Sequence, residues 1–416
     1  MQATQNAETS TDGCTEKVSI LFIFWTFLKI GSVAFGGFMA LISVIENTVV
    51  KQRGLLRHRD MLDAISLANL LPGPQAVNVV AFAGYRLRGG MGALAAASGV
   101  ILPSFLLLLA LSYLYFRYGE IVALQKAFQG FIPAVAAIVL SVAWRMGRKT
   151  VTGVREALLV AIAAGVLALV PLAYKVYAPP AIIAAFALIG LYLFRDLRKG
   201  GATPIASNPI SWRHFLLVAS LLAALTLLWF FPLPLERDGL ALLTLTFASM
   251  SLMLFGGGYV FIPIIGSIVV GEYAWLSQQE FTDGIAMGQI TPGPILISAT
   301  FIGYKVAGLA GATLSTVAIF MPPAILMVTA SQALDRIRQS AVTQSAMRAI
   351  HCGVIGMIIV AAFVILRTAL PVWPIDPSHA WPTLLILCGS LVGLIRFNLD
   401  VLWIIPAAGV LGYLLY

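Results

Sequence analysis

Charged and metal-binding side chains are scarce in this chain. Lys, Arg, Asp and Glu make up 10% of its 416 residues, whereas soluble domains carry about 25%, so a soluble globular protein is excluded. The three cysteines, Cys14, Cys352 and Cys388, are too few and too scattered for a disulfide framework or a zinc site. Four histidines, unclustered carboxylates and no flavin or haem signature argue against an enzyme and against a metal or other cofactor.

Long apolar runs dominate what is present. Hydrophobic residues form 60% of the chain, and eight runs have the length of bilayer-spanning helices. They cover residues 18–34, 91–113, 155–171, 178–194, 213–231, 308–330, 346–366 and 399–416. Because a helix satisfies its own backbone in lipid, the sequence predicts an all-α polytopic protein of the lipid bilayer.

Basic residues set the expected topology. The net charge is +9, but Lys and Arg stand in short loops and form no tract, which indicates membrane orientation and not nucleic-acid binding. Residues 1–17 are polar and lack a signal-peptide pattern. We expect them to form a cytoplasmic tail.

The chain also repeats itself. AFGGFMALISVIENTVV (34–50) recurs as LFGGGYVFIPIIGSIVV (254–270), and at the same spacing Pro72-Gly73-Pro74 recurs as Pro292-Gly293-Pro294. Apolar composition alone does not place these motifs in one order. The sequence therefore predicts two homologous repeats, 18–200 and 212–416, joined by a cytoplasmic linker over 201–211.

Equivalent loops of the two repeats carry different charge. Residues 51–59 include four Lys or Arg, whereas their counterparts 271–279 include none, so the two loops should lie on opposite sides of the membrane. We therefore expect two halves in inverted topology, with broken or re-entrant helices at the Pro-Gly-Pro and Phe-Gly-Gly motifs. The pattern leaves open whether 18–50 is one bent helix or two shorter elements.

Inverted repeats with interrupted helices are typical of secondary transporters whose site lies near mid-membrane. A helix from Gln75 to Arg86 spans about 18 Å, roughly half a bilayer. Two such helix N-termini, one per repeat, favour an anion. The alternative is that each motif only kinks a packed helix. The candidate substrate-binding residues at the breaks are Phe35, Gly36, Gly37, Pro72, Gly73, Pro74, Gly256, Gly257, Pro292, Gly293 and Pro294.

Polar and basic residues near the breaks add candidates. Lys29 could offer a cation to an oxyanion, or could snorkel to the membrane surface. We interpret Arg86 and Lys305, which end the two half-helices, as vestibule charges that attract an anion, with helix capping as the alternative. Candidate hydrogen-bond donors, which could also be ordinary helix–helix contacts, are Asn69, Gln75, Asn78, Gln289, Thr291 and Ser298.

Three acids stand in or beside apolar segments, where ionisable groups are functional candidates. Asp63 and Asp283 precede their Pro-Gly-Pro motifs at the same spacing and are therefore repeat-mates. They are candidate proton carriers or members of structural ion pairs. Glu46, whose counterpart is Gly266, would act in one repeat only.

These motifs resemble the chromate ion transporter family in its long two-domain form. The resemblance rests on Phe-Gly-Gly, Pro-Gly-Pro and the Tyr-basic pairs Tyr85-Arg86 and Tyr304-Lys305, and it covers nearly the whole chain. It implies a bacterial inner-membrane protein that exports chromate using the proton-motive force and confers chromate resistance, with sulfate as a competing anion and no cofactor. A homodimer is an option. The alternatives are a sulfate or other oxyanion importer, a passive anion channel and a membrane-embedded chromate reductase.

Overall fold

The structure is a computed structural model. It describes residues 18–34, 37–118, 122–171, 177–194, 239–255, 261–331, 341–369 and 377–416. The expected tail and linker, the apolar run 213–231, and the candidates Phe35, Gly36, Gly256 and Gly257 lie outside these residues. All secondary structure within the described ranges is helical.

The first repeat contains seven helices in the described residues. They are α1 (Ile20–Val33), α2 (Gly37–Ile45, extended by π-helical turns over Glu46–Gln52), α3 (His58–Leu70), α4 (Gln75–Tyr118), α5 (Val122–Thr150), α6 (Val154–Leu169) and α7 (Ala178–Leu193).

The second repeat contains seven more in its described part. They are α8 (Leu240–Ser251), α9 (Phe261–Gly266, with π-helical turns over Ser267–Glu272), α10 (Gln278–Ile290), α11 (Ser298–Ala330, after a 3-10 turn over Ile295–Ile297), α12 (Ala341–Ala369), α13 (Pro377–Ile395) and α14 (Val401–Leu415).

The helix boundaries repeat with the sequence. Helix α10 begins and ends at the positions that the alignment of the Pro-Gly-Pro motifs assigns to α3, and α12 has the same length as α5. The π-helical turns also recur, after α2 and after α9. The predicted duplication is therefore confirmed at the level of individual helices.

The segment 18–52 forms two elements. Helix α1 ends before Ala34, and α2 begins at Gly37. The Arg53 guanidinium donates to Thr26 Oγ1 at 3.0 Å and lies 4.6 Å from the centre of the Phe22 ring. The chain after α2 therefore returns to α1, which resolves the open question in favour of two short elements.

Helix α4 is a helical hairpin. Arg88 (φ −154°, ψ 38°) and Gly89 (φ 59°, ψ −153°) leave the helical region, and a Cβ added to Gly84 would collide with the Gly92 carbonyl. Residues eight apart in a continuous helix are separated by about 12 Å. The arms 75–87 and 90–118 thus run back along each other.

Helix α11 turns in the same way at Ala307 (φ −147°) and Gly308 (φ 55°). The hydroxyls of Thr300 and Thr316 are 2.7 Å apart, although a straight helix would separate these residues by about 24 Å. The arms are 298–306 and 309–330, so the hairpin is a feature of both repeats.

Helices α5 and α12, which are repeat-mates, form the centre of the bundle. They pack along each other, and α10, α13 and α14 also contact α5. The α5 residues from Ala134 to Val139 are at most 1% exposed, as are Val354, Met357 and Ile358 of α12. By length and composition, four helical stretches of the described residues could cross a membrane: 75–118, 125–150, 295–330 and 344–367.

Candidate functional site

The two Pro-Gly-Pro motifs form matching breaks between helices. Gly73 has φ of 109° and Gly293 has φ of 107°. Side-chain-bearing residues rarely adopt this conformation, so the turn requires glycine. Each break leads from a helix, α3 or α10, into the first arm of a hairpin.

Each break is bonded to the other repeat. The Gly73 N–H donates to the Leu254 carbonyl at 2.6 Å, and the Gly293 N–H donates to the Ala34 carbonyl at 2.8 Å. Ala34 and Leu254 stand directly before the two Phe-Gly motifs. The Pro-Gly-Pro break of one repeat is thus bonded to the residue that precedes the Phe-Gly motif of the other, and we refer to the two bonds as the cross-repeat bonds.

Protein atoms lie against both central glycines. A Cβ on Gly73 would collide with the Pro323 ring, and a Cβ on Gly293 would collide with Ser104 Oγ. Ser104 also donates to the Pro292 carbonyl. The close backbone approach that these glycines permit is therefore made by the opposite repeat, and direct ligand contact by Gly73 or Gly293 stays a prediction.

Helix N-termini begin at the breaks, as the sequence predicts. The first helical bond of α4 runs from the Asn78 N–H to the Pro74 carbonyl at 3.0 Å. The amides of Gln75, Ala76 and Val77 precede it and have no intrahelical acceptor. All three residues are buried, so positive dipole ends lie inside the protein.

In the second repeat, the first arm of the hairpin begins with a tighter, 3-10 helical turn. The Ile297 N–H bonds to the Pro294 carbonyl at 3.1 Å in a 3-10 turn. The amides of Ile295 and Leu296 precede that bond, and both residues are buried. The two breaks therefore present three and two such amides, respectively.

The polar side chains at the first break form local hydrogen bonds. Gln75 Nε2 donates to Asn69 Oδ1 at 3.0 Å, and Asn78 Nδ2 donates to the Pro72 carbonyl at 3.2 Å. Asn78 is fully buried, and its Oδ1 has no hydrogen-bond partner among the described residues. Asn69 is exposed. The structure thus brings Asn69 and Gln75 together and bonds Asn78 to the backbone of the break.

The polar side chains at the second break are arranged differently. Thr291 Oγ1 donates to the Gly288 carbonyl at 2.8 Å, and Ser298 Oγ donates to the Ile295 carbonyl at 3.3 Å. Both hydroxyl protons are therefore used locally. Gln289 is 9% exposed, and its Nε2 finds no acceptor in the described part of the chain. Of these three candidates, Gln289 has the uncommitted donor.

The two expected vestibule charges are paired with acids. Arg86 lies 2.5 Å from Asp60, and Lys305 lies 2.8 Å from Glu280. Each acid is in the first turn of the helix that leads into its break. The pairs therefore place the end of each hairpin's first arm beside the start of the preceding helix, which is re-entrant geometry. Asp60 and Glu280 are repeat-mates, a signal that sequence reasoning missed.

The three candidate acids have unlike surroundings. Asp283 is fully buried, and its Oδ2 accepts a hydrogen bond from the Tyr115 hydroxyl at 2.8 Å. Asp63, its repeat-mate, is half-buried. Glu46 lies 3.2 Å from His58 and 3.9 Å from Lys51, which favours the ion-pair alternative for this residue.

Lys29 is not brought to the breaks. Its side chain is exposed on α1, whereas its repeat-mate Ser249 is buried in α8. Exposure fits the snorkelling alternative, and an anion contact by Lys29 stays a prediction. Gly37 begins α2, so its backbone amide is at a helix N-terminus beside the first Phe-Gly break.

Comparison with protein families identifies the family of this chain. The model of the chromate transporter family matches residues 21–191 and, again, residues 241–413. The chain belongs to the chromate transporter family. Both repeats match, in agreement with the duplicated helices, and the family together with the apolar helices makes this a multi-pass membrane protein.

Curated relatives extend over most of the chain. A chromate transport protein of Cupriavidus metallidurans is 32% identical over 302 residues, 71% of this chain and 70% of that protein. One of Pseudomonas aeruginosa is 30% identical over 365 residues, 84% and 82%. An uncharacterized transporter of Methanocaldococcus jannaschii is 30% identical over 399 residues, 95% and 94%. No solved structure matches the chain.

Proposed function

We propose that this protein is a secondary transporter that exports chromate from the cytoplasm in exchange for protons and thereby confers chromate resistance. The observation that carries the proposal is the pair of cross-repeat bonds, Gly73 N–H to Leu254 and Gly293 N–H to Ala34. They join the interrupted helices of two repeats, the arrangement that transporters use to bind substrate between repeats. Relatives named chromate transport proteins support the substrate.

The buried helix N-termini suit an oxyanion. Amides at Gln75 to Val77 and at Ile295 and Leu296 supply donors and positive dipole ends without a metal. Gln289 Nε2 adds a side-chain donor. Chromate and sulfate are tetrahedral dianions of similar size, so both fit this donor set. Sulfate is therefore the expected competitor.

The exposure of the two breaks indicates a direction of access. Asn69 is exposed and Asp63 half-buried, whereas their counterparts Gln289 and Asp283 are buried. The first break is thus the more accessible of the two. The Lys and Arg residues of the loop before α3 support a cytoplasmic position for the start of that helix, so we take this conformation as one that accepts substrate from the cytoplasm.

Energetics favour export of such an anion. An inside-negative membrane potential drives outward movement of each negative charge by about 2.3 kcal/mol per 100 mV. Proton entry in exchange adds the pH gradient as a second driving force. The inner membrane of a bacterium supplies both.

Transport into everted membrane vesicles tests the proposal. Vesicles that contain the protein should accumulate chromate when energised, and a protonophore should abolish the accumulation. Excess sulfate should reduce the initial rate. Equal chromate content in vesicles with and without the protein contradicts the proposal, and formation of trivalent chromium by the purified protein indicates a reductase.

Sulfate import is the second candidate, because the donors at the breaks do not distinguish the two anions. The sign of flux separates the candidates. An importer accumulates sulfate in right-side-out vesicles and does not accumulate chromate in everted ones. A passive channel equilibrates either anion without concentrating it.

A further inference from the structure

We propose that Asp283 of the second repeat and the Tyr115 hydroxyl of the first repeat together form the proton-carrying site of this transporter, and that Asp63 does not carry the coupled proton. The inference rests on the proposed function, since it assigns the coupled proton to one side chain. It selects Asp283 over its repeat-mate Asp63 and adds Tyr115, which no sequence motif singles out.

Among the described residues, no cation compensates the buried Asp283 carboxyl. Its side chain is fully buried in α10, its Oδ1 has no hydrogen-bond partner, and it forms no salt bridge within the described residues. The nearby cation, Lys305, is already held by Glu280, one turn earlier in α10. Keeping a lone buried carboxylate ionised costs on the order of several kcal/mol, so a neutral, protonated carboxyl is favoured when α10 is closed.

Aromatic rings enclose the pair. The Tyr115 ring lies 5.0 to 5.2 Å from the ring centres of Phe116, Phe128 and Phe301. Gly284, the neighbour of Asp283, packs directly against Phe301. Water is thereby kept from the carboxyl group in this conformation.

Tyr115 can hold Asp283 in either protonation state. A phenol hydroxyl donates to a carboxylate, and after rotation its oxygen accepts from a carboxylic acid. Tyr115 keeps its own proton in both arrangements, while Asp283 gains or loses one. The titratable groups that act on Asp283 are Tyr115 on the second arm of α4 and Glu280 on α10, with Lys305 bound to the latter.

The location couples the proton to the anion site. Asp283 lies on α10 between the Lys305–Glu280 pair and Gln289, which is about 9 Å further along the helix. Helix α10 packs against α4, α5, α12 and α14. We expect movement of α10 relative to the second arm of α4 to separate Asp283 from Tyr115, so that the carboxyl exchanges its proton with water when this contact is open and holds the proton when the contact is closed.

The sequence of the first repeat's acid and its aligned partner differs from this pair. Asp63 is half-buried, and the alignment that pairs α5 with α12 makes Leu334 the counterpart of Tyr115. Leucine has no hydroxyl. Leu334 lies outside the described residues, so this step rests on side-chain chemistry alone. The Asp–Tyr pair therefore has no counterpart in the aligned sequence around Asp63.

Purified protein in liposomes tests the assignment with two readouts. Chromate exchange between equal pools needs no net proton movement, whereas net chromate flux with a trapped pH dye reports coupling. Asp283→Asn should keep exchange and reduce dye-reported proton movement to that of protein-free liposomes. Asp63→Asn, the matched comparison, should keep proton movement in proportion to chromate, whatever its rate. Tyr115→Phe should remain coupled with a shifted pH profile of net flux.

Each outcome decides a different statement. Proton movement in proportion to chromate in Asp283→Asn overturns the assignment and leaves the proposed function intact. Chromate flux without proton movement in the wild type overturns coupling itself and, with it, the site. If Asp283→Asn is not monodisperse, an unchanged pH profile in Tyr115→Phe also contradicts the assignment.

Discussion

The two Pro-Gly-Pro breaks share a backbone but differ in their surroundings. The central glycines have φ of 109° and 107°, and both donate to the residue before the opposite Phe-Gly motif. Around the first break Asn69 is exposed, whereas every α10 residue from Phe281 to Gln289 is buried. Helix α10 is enclosed by α4, α5, α12 and α14, while α3 packs mainly on α4.

This difference has two separable parts. One part is chemical and fixed by sequence, such as Ser104 in the place of Pro323, or Gln289 in the place of Asn69. The other is conformational, because inverted repeats provide alternating access by taking unlike positions at any one time. Mutations at matched positions distinguish the two parts, and the following four experiments run from the largest expected effect to the smallest.

Alanine at the central glycines should have the largest effect. Gly293→Ala incurs backbone strain of about 1–3 kcal/mol and a collision with Ser104 Oγ. Adding Ser104→Ala removes that oxygen and should recover part of the loss. Pro323→Ala should not rescue Gly73→Ala, because the Pro323 Cβ itself is in the way. The unfolding temperature in detergent and the rate of chromate uptake are measured for both double-mutant cycles, Gly293→Ala with Ser104→Ala and Gly73→Ala with Pro323→Ala.

Gly308→Ala is the control for strain alone. Gly308 has φ of 55° and open space where a Cβ would point. The Gly308→Ala variant should therefore lose less stability than Gly293→Ala. Equal losses at Gly293 and Gly308, or equal rescue in the two cycles, would contradict the packing described at the breaks.

The rate of cysteine labelling should show the second-largest difference between the two breaks. In a background without Cys14, Cys352 and Cys388, Asn69→Cys should react quickly with a hydrophilic maleimide and Gln289→Cys slowly, because Asn69 is exposed and Gln289 buried. Everted vesicles should show faster labelling at position 69 than right-side-out vesicles. Equally fast reaction at both positions, or faster labelling of position 69 in right-side-out vesicles, would contradict the difference described between the two breaks.

Removal of the side-chain amide at Gln289 or at its repeat-mate Asn69 should alter the affinity for the anion to different extents. Gln289→Ala deletes an uncommitted donor, and the loss of a hydrogen bond to a charged group, about 1.5–3 kcal/mol, should raise the KM for chromate by at least about tenfold. Asn69→Ala removes an acceptor that serves Gln75 and should change KM less. Initial rates across chromate concentrations provide the comparison, and a larger effect at Asn69 would reverse the assignment of the donor.

The peripheral ion pairs should matter least. Arg86→Ala and Lys305→Ala each break a partly exposed pair, worth about 0.2–1 kcal/mol, and should leave transport within a few-fold of wild type. Lys305 lies 4.9 Å from the centre of the Phe116 ring, closer than the 5.9 Å between Arg86 and the Phe82 ring, so the loss of Lys305 should lower the unfolding temperature slightly more. Abolished transport in either variant would return these residues to a direct role with the anion.

Much of the architecture is predictable from the sequence. The constant spacing at which the Phe-Gly-Gly and Pro-Gly-Pro motifs recur predicts the duplication, the breaks and the re-entrant arms, because proline and glycine act locally on the backbone. Helix α5 is absent from the predicted apolar runs, since Gln125, Gln129 and Arg145 interrupt its pattern. It is enclosed by other helices and needs no continuous apolar surface toward lipid.

The long-range contacts are less predictable. The cross-repeat bonds join backbone atoms, which leave no side-chain signature at Leu254 or Ala34. The Tyr115–Asp283 bond joins residues far apart in the sequence, and Leu334, the counterpart of Tyr115, cannot form its equivalent. The Arg86–Asp60 and Lys305–Glu280 pairs are an exception, because both acids are repeat-mates and could have been found by aligning charges.

A cryo-electron microscopy map of the protein with bound chromate tests the central claim most directly. The account predicts a tetrahedral anion within hydrogen-bonding distance of the helix N-termini at Gln75 to Val77 or at Ile295 and Leu296. An ordered anion elsewhere, with the same amides contacting only protein, would contradict it.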